Sequence, residues 1–209
     1  MILVPQYNNL TPYLESDDII DFGNNISPAI TKLSYEIASC STDEIDYIKN
    51  AFEYVRDNIY HSADINGKIV TCKASDVLKH KEGICFAKSH LLAAILRNKK
   101  IPTGFCYQKL ILDDKISPYI IIHGLNAVYI EKLKKWIRLD ARGNKDGINA
   151  QFSLDDEQLA FPIRTQFSEE DIPIIFAKPD KNIIKTLVNN LSINDLWKNL
   201  PKRLYMEKI

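Results

Sequence analysis

The order of the helical and strand-like patterns constrains the fold of this chain more than any other feature of its sequence. In the first half, an apolar stripe with the three- and four-residue spacing of a helix runs through Ile45, Ile48, Phe52, Val55 and Ile59. In the second half, three runs rich in Ile, Val, Tyr and Phe have the composition of strands, at residues 104–112, 119–130 and 136–140. Helices followed by neighbouring strands predict an α+β fold with an antiparallel sheet.

Local signals predict where the helices begin and end. Ser41 with Glu44 fits a capping box at the start of the first helix. A short helix is predicted at residues 75–81. A longer helix should begin at about Cys85 and end before Pro102, because proline disfavours helical backbone at the residue before it.

The domain organisation is expected to be simple. The chain has 209 residues with no internal repeat and no low-complexity tract, which predicts a single domain over residues 1–209. We expect its core at about 41–150, after an irregular N-terminal arm at 1–40 and before a C-terminal extension at 151–209. The prolines of the extension indicate an irregular course, except for a helix at about 182–191.

Composition argues against several classes of partner. Lys plus Arg and Asp plus Glu are both 27, so the chain lacks the basic excess of a nucleic-acid-binding protein. No stretch reaches the roughly 20 apolar residues of a membrane span, and the first residues do not resemble a signal peptide. We therefore expect a cytoplasmic protein with reduced thiols that binds neither nucleic acid nor membranes. The oligomeric state stays open.

The four cysteines carry no metal-binding pattern. No pair has the CxxC spacing of a zinc or redox site, and the chain has no HExxH motif. The sequence therefore predicts neither a metal nor a cofactor. Each cysteine is then either a core residue or a nucleophile, and Cys72 and Cys106 are interpreted as structural.

One cysteine stands at a position suited to chemistry. Cys85 follows Gly83-Ile84 and opens the predicted helix. A helix N-terminus presents unpaired N–H groups and a positive partial charge, which favour a thiolate and can stabilise an oxyanion. A buried structural cysteine is the alternative interpretation, and Cys85 alone would not exclude it.

Two later residues complete a catalytic pattern. His123 lies within the strand predicted at 119–130, and Asp140 ends the strand predicted next. If these strands pair as a hairpin, a residue early in the first can face a residue late in the second. Asp140 would then orient the imidazole, and the other ring nitrogen would serve Cys85. Taken singly, His123 could be a core histidine and Asp140 a turn former.

This arrangement resembles the transglutaminase-like superfamily of cysteine enzymes. The resemblance runs from about residue 50 to 145 and rests on four pieces, namely Gly83-Ile84-Cys85, Ile101-Pro102 after an apolar helix, His123 within a strand, and Trp136-Ile137-Arg138-Leu139-Asp140. Two departures are Gly124, where many members have alanine, and Ala141-Arg142, where many have Pro-Thr. These departures suggest a bacterial branch.

The resemblance implies both a layout and an activity. The layout is a papain-like core with the nucleophile helix packed on an antiparallel sheet. The activity is acyl transfer through a thioester on Cys85, with His123 as general base and then acid and with Asp140 as the third member of the triad. The substrate would be a peptide, a protein or a small amide, and hydrolysis is favoured over amide transfer. The alternative is a non-catalytic binding or scaffold protein on the same fold.

Other polar residues are weaker candidates. Tyr60, near the end of the first helix, and Gln108, on a strand, are candidate second donors to an oxyanion. Tyr60 is equally well a core aromatic at a helix end, and the alternative for Gln108 is an exposed strand residue. Three residues after Asp140 line either the cleft mouth or an ordinary polar turn, and the turn is preferred: Arg142, Asn144 and Lys145. Three histidines show no partner pattern: His61, His80 and His90.

Overall fold

A computed structural model describes residues 1–112 and 118–205 of the chain. Its α-helices are α1 (Pro28–Ser39), α2 (Glu44–Asn58), α3 (Ala74–His80), α4 (Cys85–Asn98), α5 (Lys181–Asn189) and α6 (Ile193–Lys198). Its strands are β1 (Val4–Pro5), β2 (Tyr60–His61), β3 (Glu82–Gly83), β4 (Thr103–Leu112), β5 (Tyr119–Ile130), β6 (Lys135–Leu139) and β7 (Glu170–Phe176). The α+β class predicted from the order of the patterns is confirmed.

Within the described residues, the larger sheet has the order β1-β7-β4-β5-β6. The β4–β5 and β5–β6 pairs are antiparallel, as predicted. The β4–β7 pair, which was not predicted, is also antiparallel, and within this sheet only the edge pair β1–β7 is parallel. A separate two-stranded pair, β2–β3, runs parallel immediately before α4. This small pair fixes the approach of the chain to Cys85.

Helix α4 is the centre of the core. Every residue from Phe86 to Arg97 is buried, so the helix packs on all sides instead of along one stripe. It contacts α1, α2 and α3 on one side and the strands β4 and β5 on the other. The predicted packing of the nucleophile helix on the sheet is confirmed.

The start of α2 differs from the predicted capping box. The N-cap is Asp43, whose side chain accepts a hydrogen bond from the N–H of Asp46. Ser41 instead donates its hydroxyl to the carbonyl of Ile37, at the end of the preceding helix. An aspartate cap serves as well as a serine cap, so the helix starts near the predicted place although the predicted capping box was wrong.

The two longest elements that were missed lie in segments predicted to be irregular. The N-terminal arm contains α1, which begins with Pro28 at a position that favours proline and buries Ile30, Leu33 and Ile37. The C-terminal extension contains β7, although this strand includes Pro173. The register of β7 against β4 shifts between Phe105 and Tyr107, so the proline falls where the hydrogen-bond ladder is irregular.

The segment that follows α6 is held to the start of α5 and to the sheet by hydrogen bonds of its backbone. Asp180 caps α5 and also accepts a hydrogen bond from the N–H of Tyr205 at 2.8 Å. Beyond α6, the carbonyl of Pro201 accepts a hydrogen bond from the N–H of Ile122 in β5, at 2.8 Å. Across residues 1–112 and 118–205, no helix combines the length and the apolar character needed to cross a bilayer.

Candidate active site

Cys85 is the first residue of α4 and is half-buried. The chain reaches it through β3 and through Ile84, whose extended backbone caps the helix. Gly83 is required by close packing, since a Cβ there would lie 2.9 Å from the Thr71 hydroxyl oxygen and 3.0 Å from the Ala87 Cβ. The sequence therefore places the thiol at the positive end of the helix, as predicted.

His123 and Asp140 meet across the β5–β6 hairpin. The register pairs Asn126 of β5 with Leu139 of β6, so Asp140 emerges from β6 beside the stretch of β5 that carries His123. His123 Nε2 lies 2.8 Å from Asp140 Oδ2. Both residues are buried, with exposed fractions of 3% and 1%. The proximity predicted from the hairpin is present.

Asp140 is held by backbone donors as well as by the histidine. Its Oδ1 accepts a hydrogen bond from the N–H of Arg142 at 3.2 Å, and its Oδ2 accepts one from the N–H of Ala160 at 3.1 Å. Burial alone would raise the pKa of this carboxyl, but the charge of His123 and these hydrogen bonds hold the pKa below its ordinary value. Asp140 is therefore an ionised, fixed acceptor.

His123 lies between the carboxylate of Asp140 and the thiol of Cys85. Burial disfavours the charged imidazole, but the charges of Asp140 and Cys85 and hydrogen bonds to both raise the pKa of His123 to about 10. Because Asp140 occupies Nε2, Nδ1 is the ring nitrogen left for Cys85. The ring of Phe161 packs edge-on against the imidazole, with centroids 5.0 Å apart at 89°. The structure thus brings the three predicted residues together and fixes the ring.

The C-terminal extension contributes to this arrangement in a way that the sequence did not predict. Ala160 donates to Asp140, and Phe161 packs on His123, so one short segment supports two members of the predicted triad. The contact of Ala160 is made by its backbone N–H, which leaves no signature in side-chain patterns. Phe161 carries no periodic signal that would have identified it.

Cys85 and His123 open into a cleft of about 430 Å³. Most of its described walls are apolar, and they include Ile84, Ile121, Phe161, Trp197 and Leu200. Three basic side chains besides His123 also line it, and these are His61, Arg142 and Lys145. The volume is in the range of small-molecule and peptide side-chain sites.

His61 is a cleft residue that sequence reasoning set aside. It lies on β2 opposite Gly83, so the β2–β3 pair brings it close to Cys85. Its side chain is buried, and its Nδ1 has no hydrogen-bond partner in the described part of the chain. Burial first, and then the charge of Arg142, lower the pKa of His61 well below its ordinary value, so this ring is neutral. Its only sequence signal was that it directly follows Tyr60.

Arg142 and Lys145 both line the cleft and belong to a turn held by ion pairs. Arg142 forms a two-pronged ion pair with Asp64, and Lys145 Nζ lies 2.6 Å from the same carboxylate. Arg142 is buried, whereas the side chain of Lys145 is 47% exposed. Asn144, by contrast, exchanges hydrogen bonds with Ala150 and fits the turn that was preferred.

Neither of the two predicted oxyanion donors is free in the cleft. Tyr60 is 60% exposed and is not among the described residues that form the cleft wall. Gln108 is buried, and its side-chain amide donates to Asp171 at 2.9 Å. Tyr60 is therefore not the core aromatic of the alternative interpretation, and Gln108 is a buried strand residue instead of an exposed one.

The other cysteines differ from Cys85 in their surroundings. Burial raises the pKa of Cys72 to about 12 and that of Cys106 to about 12. Cys40 is exposed at the end of α1. Among the four thiols, only Cys85 is half-buried and also paired with a histidine.

Comparisons with known proteins bear on the fold and the family. A family model for the transglutaminase-like superfamily matches residues 31–141, just over half of the chain. A candidate cysteine protease from Cytophaga hutchinsonii is similar in structure, with a TM-score of 0.50 at 18% identity over 65% of this chain and 43% of that chain. The periplasmic domain of TgpA from Pseudomonas aeruginosa gives a TM-score of 0.45 at 15% identity over 62% of this chain and 46% of that chain.

These similarities cover only part of the neighbouring proteins. The chain spans less than half the length of either solved structure. A comparison with curated proteins found no match. At such low identity, the likeness to the Cytophaga hutchinsonii protein shows a shared fold and nothing further.

Proposed function

This chain belongs to the transglutaminase-like superfamily, and we propose that it is a cysteine-dependent acyl-transfer enzyme with Cys85, His123 and Asp140 as its triad. The observation that supports this proposal most is the position of His123 between an anionic orienting group and a thiol at a helix N-terminus. A structural histidine would not need both partners.

The proposed reaction begins with Cys85 as a thiolate and His123 as an imidazolium. The sulfur attacks the carbonyl carbon of an amide, and the N–H groups at the start of α4 stabilise the negative charge that develops on the oxygen. His123 then gives its proton to the leaving amine nitrogen as the C–N bond breaks. The products of this step are a thioester on Cys85 and a free amine.

The second half of the reaction releases the acyl group. Neutral His123 accepts a proton from an incoming nucleophile, which attacks the thioester and restores the Cys85 thiolate. Water gives a carboxylic acid, and a primary amine gives a new amide. The same residues serve both outcomes, and we propose hydrolysis of a peptide, protein or small amide as the main one.

Acylation of the thiol by a simple activated ester tests the proposal directly. The protein is mixed with p-nitrophenyl acetate, release of p-nitrophenol is followed, and the acylated residue is mapped by mass spectrometry. We expect a burst of p-nitrophenol, acetyl transfer to Cys85, and slow turnover. Adding methylamine then measures the partition between water and amine.

Matched variants separate chemistry from mere thiol exposure. Cys40→Ser removes the exposed competing thiol and should keep the burst. Cys85→Ala should abolish it, and His123→Ala should slow it by about 10²-fold or more, the range expected for a lost general base. Acylation of Cys85 at the same rate with and without His123 would instead favour a scaffold protein.

A further inference from the structure

We propose that the apolar part of the cleft binds a bulky apolar side chain on the acyl group of the substrate. This apolar pocket is formed by Ile84, Ile121, Phe161, Trp197 and Leu200. The inference rests on the proposed function, because the acyl group must be attached at Cys85. It goes further in naming the class of substrate, and it assigns one pocket wall to the end of the chain.

The pocket lies directly beside the proposed reacting atoms. Ile84 immediately precedes Cys85. Ile121 is two residues before His123 on β5, so the side chains of Ile121 and His123 lie on the same face of the sheet. Phe161 packs against the imidazole itself. An acyl carbonyl placed at the Cys85 sulfur therefore has its substituent next to these apolar side chains.

The far wall comes from the C-terminal segment. Strand β6 pairs with β5 only from Asn126 onward, and earlier in β5 the N–H of Ile122 bonds instead to the carbonyl of Pro201 at 2.8 Å. This bond holds Leu200 at the cleft. Leu196 is fully buried and anchors α6, so the next residue, Trp197, is fixed at the cleft surface.

The pocket is apolar and partly open to solvent, which is typical of a ligand-binding site and not of a protein core. Ile121, Phe161 and Trp197 are each only half-buried, so apolar surface stays in water until something covers it. Covering such surface favours binding in proportion to its area. The cavity of about 430 Å³ is large enough for a leucine or phenylalanine side chain together with the reacting carbonyl.

The basic residues of the cleft do not compete for this role. Arg142 and Lys145 share one carboxylate, that of Asp64, and lie at the turn after Asp140. Their charge is partly neutralised by this ion pair. The apolar residues come instead from β5, from the C-terminal extension and from Ile84, which immediately precedes Cys85.

A series of thiol-directed probes tests the pocket without knowledge of the natural substrate. The probes are N-acetyl-aminoacyl chloromethyl ketones with alanine, leucine, phenylalanine or glutamate side chains, and iodoacetamide is the reference without a side chain. Rates at Cys85 are measured in the Cys40→Ser background by peptide mass mapping. We expect the leucine and phenylalanine probes to react at least about tenfold faster than the alanine probe, as one or more buried methylenes imply.

Variants of the wall should change this ratio. Trp197→Ala should lower the leucine-to-alanine ratio by about tenfold, and Ile121→Thr, which removes less volume, provides a second variant if Trp197→Ala does not fold. Leu191→Ala lies in the same segment but is 91% exposed, so it should keep the wild-type ratio.

The outcomes distinguish this inference from the proposed function. Equal rates for the alanine and leucine probes, with selective iodoacetamide reaction at Cys85, would overturn the pocket and leave the enzyme proposal intact. A fastest rate for the glutamate probe would also overturn it and would assign recognition to Arg142 and Lys145. A failure of iodoacetamide to select Cys85 would count against the enzyme proposal itself.

Discussion

Asp140 Oδ2 lies 2.8 Å from His123 Nε2 and also accepts the backbone N–H of Ala160 at 3.1 Å. These two donors, with the N–H of Arg142 on the other oxygen, fix which atoms of the carboxylate face the ring. The imidazole therefore keeps its proton on Nε2 and presents Nδ1 to Cys85. The catalytic proposal depends on this assignment of the two ring nitrogens.

Asp140→Asn should weaken that arrangement without removing volume. With its oxygen at the Oδ2 position, the amide turns its NH₂ group toward the N–H of Arg142; with the oxygen at the Oδ1 position, the NH₂ group faces the N–H of Ala160 and the ring nitrogen. Either orientation leaves a donor without its acceptor and removes the negative charge that supports the protonated ring. In serine proteases the equivalent change costs about 10⁴-fold. We expect a smaller loss here, roughly 10–10³-fold in the iodoacetamide rate at Cys85 near pH 7, because a thiol depends less on its base.

Asp171→Asn is the matched control for this change. Asp171 accepts hydrogen bonds from Arg138 and Gln108 on the sheet and does not contact His123. Its rate profile for Cys85 alkylation between pH 5 and 9 should follow that of the wild type. If Asp140→Asn also follows the wild type, Asp140 is not the third member of the triad.

The raised pKa of His123 predicts a pH-dependent stability. Its folded-state pKa of about 10 exceeds the ordinary value of 6.5, so its ion pair with Asp140 contributes fully below about pH 6.5 and is lost as the pH rises toward 10. The lowered pKa of Asp140 has the opposite sign, and its contribution is lost as the pH falls through the acid range. The histidine effect should be of the order of a few kcal/mol.

Urea unfolding in a Cys85→Ala background isolates this effect, because no active-site thiol then titrates. The difference in the free energy of unfolding between Cys85→Ala and Cys85→Ala/His123→Gln should be largest at pH 6 and should shrink steadily to pH 10. Cys85 is one of the groups that raise the pKa of His123, so this pKa should be lower in the Cys85→Ala background. The stability difference should therefore reach its minimum below pH 10. A difference that does not vary with pH would mean that His123 is not charged in the folded state.

Gly124 is a second test of how tightly the site is packed. A Cβ at this position would lie 2.5 Å from Cδ1 of Phe86, the residue next to Cys85 on α4. We expect Gly124→Ala to cost about 1–3 kcal/mol in unfolding free energy, as overpacking does, and to slow Cys85 alkylation by shifting the helix start. This contact also explains why glycine follows His123 in this chain.

Phe86→Leu should relieve that contact. The double variant Gly124→Ala/Phe86→Leu should be more stable than the sum of the two single changes predicts, by more than about 0.5 kcal/mol. Additive effects in thermal or urea unfolding would show that the backbone moves to accept the methyl group without involving Phe86.

The sequence predicted those parts of the fold and site whose signals are local. The helix that starts at Cys85 is confirmed; Gly83 before it and Pro102 after it mark its ends in the sequence. The strand Tyr119–Ile130 is also confirmed, and its composition rich in Ile, Val and Tyr marks it. The proximity of His123 and Asp140 was predicted from a hairpin between strands that follow each other in the sequence. Such a hairpin pairs strands with the smallest sequence separation that a sheet allows. Their catalytic role stays a prediction.

Residues that reach the site from distant parts of the chain were not predictable in the same way. Ala160 acts through its backbone N–H, and Leu200 reaches the cleft beside the hydrogen bond between Pro201 and Ile122. Both depend on where an irregular segment packs, which periodicity does not encode. The missed helix α1 is different, since Ile30, Leu33 and Ile37 already have helical spacing and should have been recognised.

The last prediction concerns whether Cys85 serves the fold or the chemistry. Cys85 is half-buried at a cleft, so Cys85→Ser should change the free energy of unfolding by less than about 1 kcal/mol while abolishing acylation by p-nitrophenyl acetate. Cys106 is fully buried on β4. Cys106→Ser would bury a hydroxyl that loses its hydration, so it should lower the free energy of unfolding by about 1–3 kcal/mol. Urea unfolding of both variants measures the contrast. If Cys85→Ser destabilises the protein as much as Cys106→Ser does, the thiol is part of the core, and the structural interpretation of Cys85 replaces the catalytic one.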